Sequence, residues 1–407
     1  MLGALKDPKL WAEFRDYKIA GGHMTKESTA RLEELIRTES YKAVVDRMLA
    51  GEPFPHPRKS EISKVHSDKK RIVYTYPETE NWILKLLTYL LQRKYDGLFA
   101  DNLYSFRPRK GVHDGVRSLT AHKDIEKYWC YKADIRNYFN TVPVEKILPL
   151  LKETLEDESG VYAFLEGLLT DPYVEDNGQL ISEVKGIMAG TPVSAFLANL
   201  YLAHVDRRFS DREIVYVRYS DDIILFCETR EDLEREVLLL HGLLREAGLA
   251  MNPDKEIYSP PGEMWTFLGF SYEKGVIDVA PVSAEKLKAK MRRKARALIR
   301  WQARKGATGE QAARAFVRVF NRKLFENTAE HELTWSLWYF PMINTTRSLQ
   351  AIDNYCQSCI RYIATGKRNK SAYRFTYEQI KSLGYISLVN RYYNRMREEQ
   401  CPNRPLQ

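Results

Sequence analysis

Between residues 215 and 227 the chain reads VYVRYSDDIILFC, and no other stretch restricts the possible folds as much. β-Branched and aromatic residues on both sides of Ser220-Asp221-Asp222 predict two strands joined by a tight turn. Asp and Ser are turn formers, so an acidic hairpin tip needs no further purpose by itself. Two adjacent carboxylates in so apolar a hairpin nevertheless repel each other. A divalent cation shared with a substrate phosphate would relieve that repulsion. Such a site calls for a further carboxylate, and Asp134 is the candidate. It ends the apolar run KYWCYKAD and is flanked by Lys132 and Arg136. The plain alternative for Asp134 is a cap at a strand end.

The order of elements sharpens the expectation. Residues 1–50 read as helices, and a Pro-rich stretch, GEPFPHPRK, ends them. Two short β-type runs then surround a turn at Ser67-Asp68, and a helix carrying Trp82, Leu86, Tyr89 and Leu90 on one face follows. After the strand ending at Asp134 comes a Gly-containing loop and a helix within 186–205, with Thr191 as the expected N-cap and Pro192 as its first position. The hairpin, a helix over 231–247, the loop AGLAMNPDKE and a strand in WTFLGFSY come next. Everything from Ser283 onward reads as helical. The predicted fold class is α+β, with a helical appendage. Its sections are a helical extension over 1–60, a body over 61–282 and a helical region over 283–407. Three carboxylates on neighbouring strands of such a body can hold two Mg²⁺ ions roughly 3.5–4 Å apart, the clamp for in-line nucleotidyl transfer.

Charge divides the same way. Ser283 to Gln407 hold 25 Lys/Arg against 9 Asp/Glu, while the preceding residues hold 38 against 45. Lys286 to Lys305 alone carry ten cations and no acid. A nearly neutral body joined to so basic a region predicts a polyanionic partner. No stretch reaches the roughly 18 apolar residues of a membrane span, and the first residues lack the apolar core of a signal peptide. Five cysteines make no disulfide framework, so a reduced, cytoplasmic setting is expected. Cys356 and Cys359 form a lone C-x-x-C, short of the four ligands of a structural zinc.

These elements resemble the reverse transcriptases over nearly all of residues 60–280. YKADIRNYFNTV resembles their first palm motif, AGTPVSAFLANLYL the second, YSDD the Y-x-D-D box, NPDK the fourth motif and FLGF the primer-grip hairpin. KKRIV and YSFRPRKGVHDGV resemble two fingers motifs. The resemblance implies a right-hand polymerase with fingers, an antiparallel palm sheet and a basic helical thumb. It implies that Asp134 and Asp221 bind two Mg²⁺ ions with help from the Ile135 carbonyl, and that Asp222 belongs to the cluster. Lys70 and Arg71 are implied to meet the incoming dNTP, with Phe139 as a gate against a 2′-hydroxyl and Ala189 and Gly190 beside the nucleotide. Lys255 is implied as proton donor to the leaving pyrophosphate, and Phe267, Leu268 and Gly269 as the primer grip. Arg107, Lys290, Arg292, Arg293, Arg296 and Arg300 are the expected RNA contacts. One departure stands out: the second motif usually has Gln before its Gly, and this chain has Ala189.

The palm is similar to that of group II intron enzymes. The ending YEQIKSLGYISLVNRYY resembles the bacterial defence-associated reverse transcriptases that copy a companion non-coding RNA. The implied partners are therefore an RNA template, taken as a structured non-coding RNA, the cDNA product and dNTPs, with no membrane; the oligomeric state is left open. The other readings are an intron-type maturase, an RNA-binding scaffold with a vestigial site, and untemplated nucleotide addition.

Overall fold

The computed structural model describes residues 1–22, 24–63, 70–326 and 334–400, in two compact units, Met1–Glu263 and Met264–Gln407. The expected turn at Ser67-Asp68, Lys69 of the KKRIV motif and Cys401 lie outside the described residues.

The first unit is built on two four-stranded sheets. One has the order β2-β1-β4-β5, from β1 (Arg58–Ser63), β2 (Lys70–Thr75), β4 (Tyr173–Asp176) and β5 (Gln179–Ser182). Its pairs are antiparallel except β1 with β4. The other is fully antiparallel, in the order β6-β7-β3-β8: β6 (Val215–Tyr219), β7 (Asp222–Cys227), β3 (Trp129–Asp134) and β8 (Ile257–Ser259). Ile223, Ile224, Leu225 and Phe226 of β7 are all buried, so the central strand is apolar on both faces. That explains its continuous hydrophobic run in place of alternation.

The expected N-terminal helices run Pro8–Ala20, Lys26–Thr38 and Tyr41–Leu49, but they are no separate body. Trp11, Phe14, Leu32 and Tyr41 join the same core as Tyr131, Phe196 and Leu225. The expected helix of 186–205 begins later and is broken. Its helices run Ser194–Tyr201 and Ala203–Ser210. Thr191 is no N-cap: its hydroxyl bonds to the Met188 carbonyl and to Ser194 Oγ, which ties down the loop ahead of the helix.

In the second unit, β9 (Trp265–Phe267), β10 (Phe270–Glu273) and β11 (Val276–Val279) form an antiparallel sheet, ahead of helices Pro281–Lys305, Gly309–Phe325 and Arg347–Thr365. The packing boundary therefore precedes the charge boundary at Ser283, because these three strands group with the helices although they are not themselves basic. The single expected strand of WTFLGFSY is a two-residue hairpin with Leu268 and Gly269 both at positive φ, 49° and 92°. Such turns match the twist of their strands and favour glycine. No helix among the described residues is long and apolar enough to cross a membrane.

Candidate active site

Register brings the acidic residues together. Asp134, the last residue of β3, lies directly opposite Asp222, the first of β7. Asp221 occupies the β6–β7 turn beside them. Two backbone bonds lock this junction: Ile135 N donates to the Asp221 carbonyl at 2.9 Å, and Asn252 N donates to the Asp134 carbonyl at 2.7 Å. The NPDK segment is thereby held against the end of β3, and Lys255 Nζ lies 2.7 Å from Asp134 Oδ2.

The turn itself is held from below. Ser220 has φ of 61°, a conformation uncommon for a residue with a Cβ. Its N–H donates to Ser105 Oγ at 2.9 Å, and its carbonyl accepts from Arg218 Nη1 at 3.2 Å. Arg218 is fully buried and fork-bonded to the equally buried Asp206, Nε to Oδ1 at 2.7 Å and Nη2 to Oδ2 at 2.5 Å. Asn199 completes the support, its amide donating to the Ser105 carbonyl at 2.8 Å. None of Ser105, Asn199, Asp206 and Arg218 stands out in sequence. Their only signal is polarity at positions where the surrounding pattern is apolar.

A cavity of about 610 Å³ opens at this junction. Lys70, Arg71, Asp134, Ile135, Phe139, Ala189, Asp221 and Lys255 all line it. They come from five separate stretches of sequence. Burial pushes the Asp221 carboxyl above its usual range, and the Asp134 charge adds to this. Burial, then Asp221 and Asp134, push Asp222 up to about 6. Carboxylates so raised are short of positive charge. The donor chemistry, hard oxygens at an open cavity, fits Mg²⁺. Among the described residues no three His, Cys, Asp or Glu side chains close around one point.

Other expected residues divide. Phe139 is half-buried, lines the cavity, and makes an edge contact with Phe106 at 6.4 Å between ring centres. Lys70 lines the cavity while pairing with Glu61 on β1 at 2.5 Å. Ala189 is fixed through its backbone: its N–H donates to Asn140 Oδ1 at 2.9 Å and its carbonyl accepts from Tyr74 N at 2.8 Å. Asn140 also donates to the Ile72 carbonyl, so it joins the β2 motif to the loop, a role not foreseen from sequence. Gly190 does not line the cavity. At φ 99° it lies against β2, where an added Cβ would stand 3.0 Å from the Tyr74 carbonyl oxygen. Gly186 is tighter still, with a Cβ position 2.5 Å from the Phe139 carbonyl oxygen.

Two expectations are corrected. Arg107 is no RNA contact: its side chain is 5% exposed, and its donors are spent on Asp96 and on the Ala100 and Leu103 carbonyls. Phe267 is fully buried in the second unit, so it offers no surface to a primer, while Leu268 and Gly269 at the hairpin tip are half-buried. Lys290, Arg292, Arg293, Arg296 and Arg300 are exposed on helix Pro281–Lys305, while Leu287, Met291 and Leu298 are buried.

A stretch of 150 residues, 37% of the chain, is 27% identical to an uncharacterized 91 kDa protein in a cob intron of Schizosaccharomyces pombe. A stretch of 176 residues, 39% of the chain, is 27% identical to the retrovirus-related Pol polyprotein from type-1 retrotransposable element R2 of Nasonia vitripennis. The matches span only 18% and 17% of those relatives. Among solved structures, apo telomerase from Candida tropicalis aligns over 56% of each chain at 12% identity and a TM-score of 0.45. Residues 62–272, which hold the whole carboxylate junction, match the model of one family, and the chain belongs to it: reverse transcriptase (RNA-dependent DNA polymerase).

Proposed function

We propose that the chain synthesises DNA on an RNA template. The observation that carries this reading is the cavity in which Asp134 and Asp221 face Arg71 and Lys255. Asp134 and Asp221 would hold two Mg²⁺ ions, with the Ile135 carbonyl assisting and Asp222 adding charge from the adjoining strand. The ions would supply Lewis-acid charge stabilisation for nucleotidyl transfer. Arg71 and Lys70 attract the triphosphate of the dNTP. Phe139 closes the space where a ribose 2′-hydroxyl would lie. Lys255 Nζ, now on Asp134, lines the same cavity and can hand a proton to the departing pyrophosphate. Leu268 and Gly269 steady the primer end, and the exposed cations from Lys290 to Arg300 grip the nucleic-acid backbone.

The template is taken to be one structured, non-coding RNA encoded near the enzyme, and the setting a cytoplasmic antiphage defence. The basic region from Ser283 and the resemblance of the chain's ending support this finer reading. Sequencing the RNA that copurifies with the protein, together with its newly made DNA, tests it. One discrete RNA with cDNA from a defined segment is expected. A mixed population of RNAs with scattered cDNA starts would leave a general reverse transcriptase.

A further inference from the structure

A second cavity, of about 280 Å³, lies within the Met264–Gln407 unit, beyond the residues that match the family. Arg292, Arg361, Lys367 and Arg368 line it, and no Asp or Glu does. Among the described residues none of these four cations is ion-paired to a carboxylate. Arg361 is the telling one. It is only 9% exposed, yet its guanidinium has one hydrogen bond, Nε to the Phe375 carbonyl at 3.2 Å. Its other two nitrogens are not sealed from the cavity, so an incoming anion can reach them and supply the missing counter-charge. The Cys359 thiol, pushed up to about 11 by burial, stays neutral and supplies no such anion.

Three tyrosines, 355, 362 and 373, share the lining. Two already stack with arginines: Arg361 lies 4.7 Å from the Tyr373 ring centre and Arg368 lies 4.1 Å from that of Tyr362. An inorganic anion would need the cations but not the rings. A flat aromatic ligand joined to a phosphate uses both. The volume is just under the roughly 300–1,000 Å³ of common ligand sites, which admits one nucleotide and no duplex. Lys370 and Arg374, a few residues further on in the sequence, are also exposed cations.

We infer that this cavity receives one unpaired nucleotide of a single-stranded RNA, its base against the tyrosine rings and its phosphate at Arg361 and Arg368. Structured RNAs display such splayed bases, and proteins capture them by stacking on aromatic and guanidinium planes. The site would then fix the position of a bound RNA independently of copying.

The test is equilibrium binding of a fluorescent uridine oligoribonucleotide to the full chain, with UMP and inorganic phosphate as competitors. Tyr373 and Arg368 are exposed, so Tyr373→Leu and Arg368→Gln should fold. Tyr373→Leu is expected to weaken oligonucleotide binding about 5- to 150-fold, the worth of one stacked base, and Arg368→Gln to weaken it and lower its salt dependence. Tyr373→Phe should bind like the parent, and a 4-thiouridine oligomer should crosslink within 355–373. Asp221→Asn, which removes synthesis under the proposed function, should leave this binding unchanged, so the two readings fail separately. Unchanged affinity in the Tyr373→Leu/Arg368→Gln double variant would overturn the inference. So would UMP displacing the oligomer at equal concentration, which would make this a free-nucleotide site, or an equal loss from Arg314→Gln on another helix, which would reduce it to general electrostatics.

Discussion

Replacing Asp206 by Leu would leave the guanidinium of Arg218 buried with no counter-charge. Both side chains are 0% exposed, so water cannot take over the lost partner. Removing one member of such a pair costs about 3–5 kcal/mol. Tyr216 Oη also loses its acceptor on Asp206 Oδ1, now at 3.1 Å, a further ~1–3 kcal/mol for a buried hydroxyl left unpaired. These terms share a site and do not add fully, so about 4–6 kcal/mol is expected. At 2–4 °C per kcal/mol for a domain of this size, the melting temperature should fall by roughly 8–24 °C. The double variant Asp206→Leu/Arg218→Met removes both charges and should recover much of that loss, since a buried pair is worth little against apolar replacements. Its DNA synthesis should stay impaired, because Arg218 also holds the Ser220 carbonyl and so the turn carrying Asp221. Thermal melts and primer extension on the same preparations separate the two effects. An Asp206→Leu protein within about 1 kcal/mol of the parent would refute the claim that this pair supports the site. So would a double variant with parental synthesis.

Three other outcomes follow from the geometry. Phe139→Ala should raise the ratio of rNTP to dNTP incorporation while dNTP use persists; an unmoved ratio would make Phe139 a packing residue only. Neutralising Arg293, Arg296 and Arg300 together should weaken RNA binding across sequences and lower the slope of log K against log salt by about 0.7–0.9 for each phosphate no longer neutralised; an unchanged slope would place the grip elsewhere. For Glu183, burial pushes the carboxyl up, but hydrogen bonds from Lys59 and Tyr74 outweigh it and leave it below its usual range. A depressed carboxyl stabilises fully above its unfolded value of about 4.3 and loses that contribution as pH falls through the lower folded value. Glu183→Gln should therefore be about 1–2 kcal/mol less stable at neutral pH, with the gap closing in acid; a gap constant with pH would contradict the assignment.

The carboxylate junction is legible because it puts charge where strands want apolar residues. Asp134 and the Ser-Asp-Asp turn break their hydrophobic runs and so stand out. Arg218 breaks the same run, but a lone Arg in a strand gives no hint that its partner is Asp206 on the preceding helix. Arg107 misled for a related reason. In YSFRPRKGV the cation Arg107 reads as an RNA contact, and only the fold shows that Asp96, eleven residues earlier, encloses it. Thr191 carries a true capping signal, yet the next residues, Pro192 and Val193, precede the helix. Composition placed the second region at Ser283 because charge changes there, while packing changes at Met264, where the strands are not yet basic.

The central claim is that Asp221 and Asp222 serve metal-dependent synthesis and not merely a turn. The direct measurement is Mg²⁺-dependent dNTP incorporation on an RNA template by the Asp221→Asn/Asp222→Asn protein, with its folding and RNA affinity checked alongside. Because Asn keeps the turn and relieves the repulsion between two raised carboxyls, the protein should fold and bind RNA. Its synthesis should fall by at least about three powers of ten, since nucleotidyl transfer depends on the ions those carboxylates would hold. Incorporation within about tenfold of the parent would contradict the account.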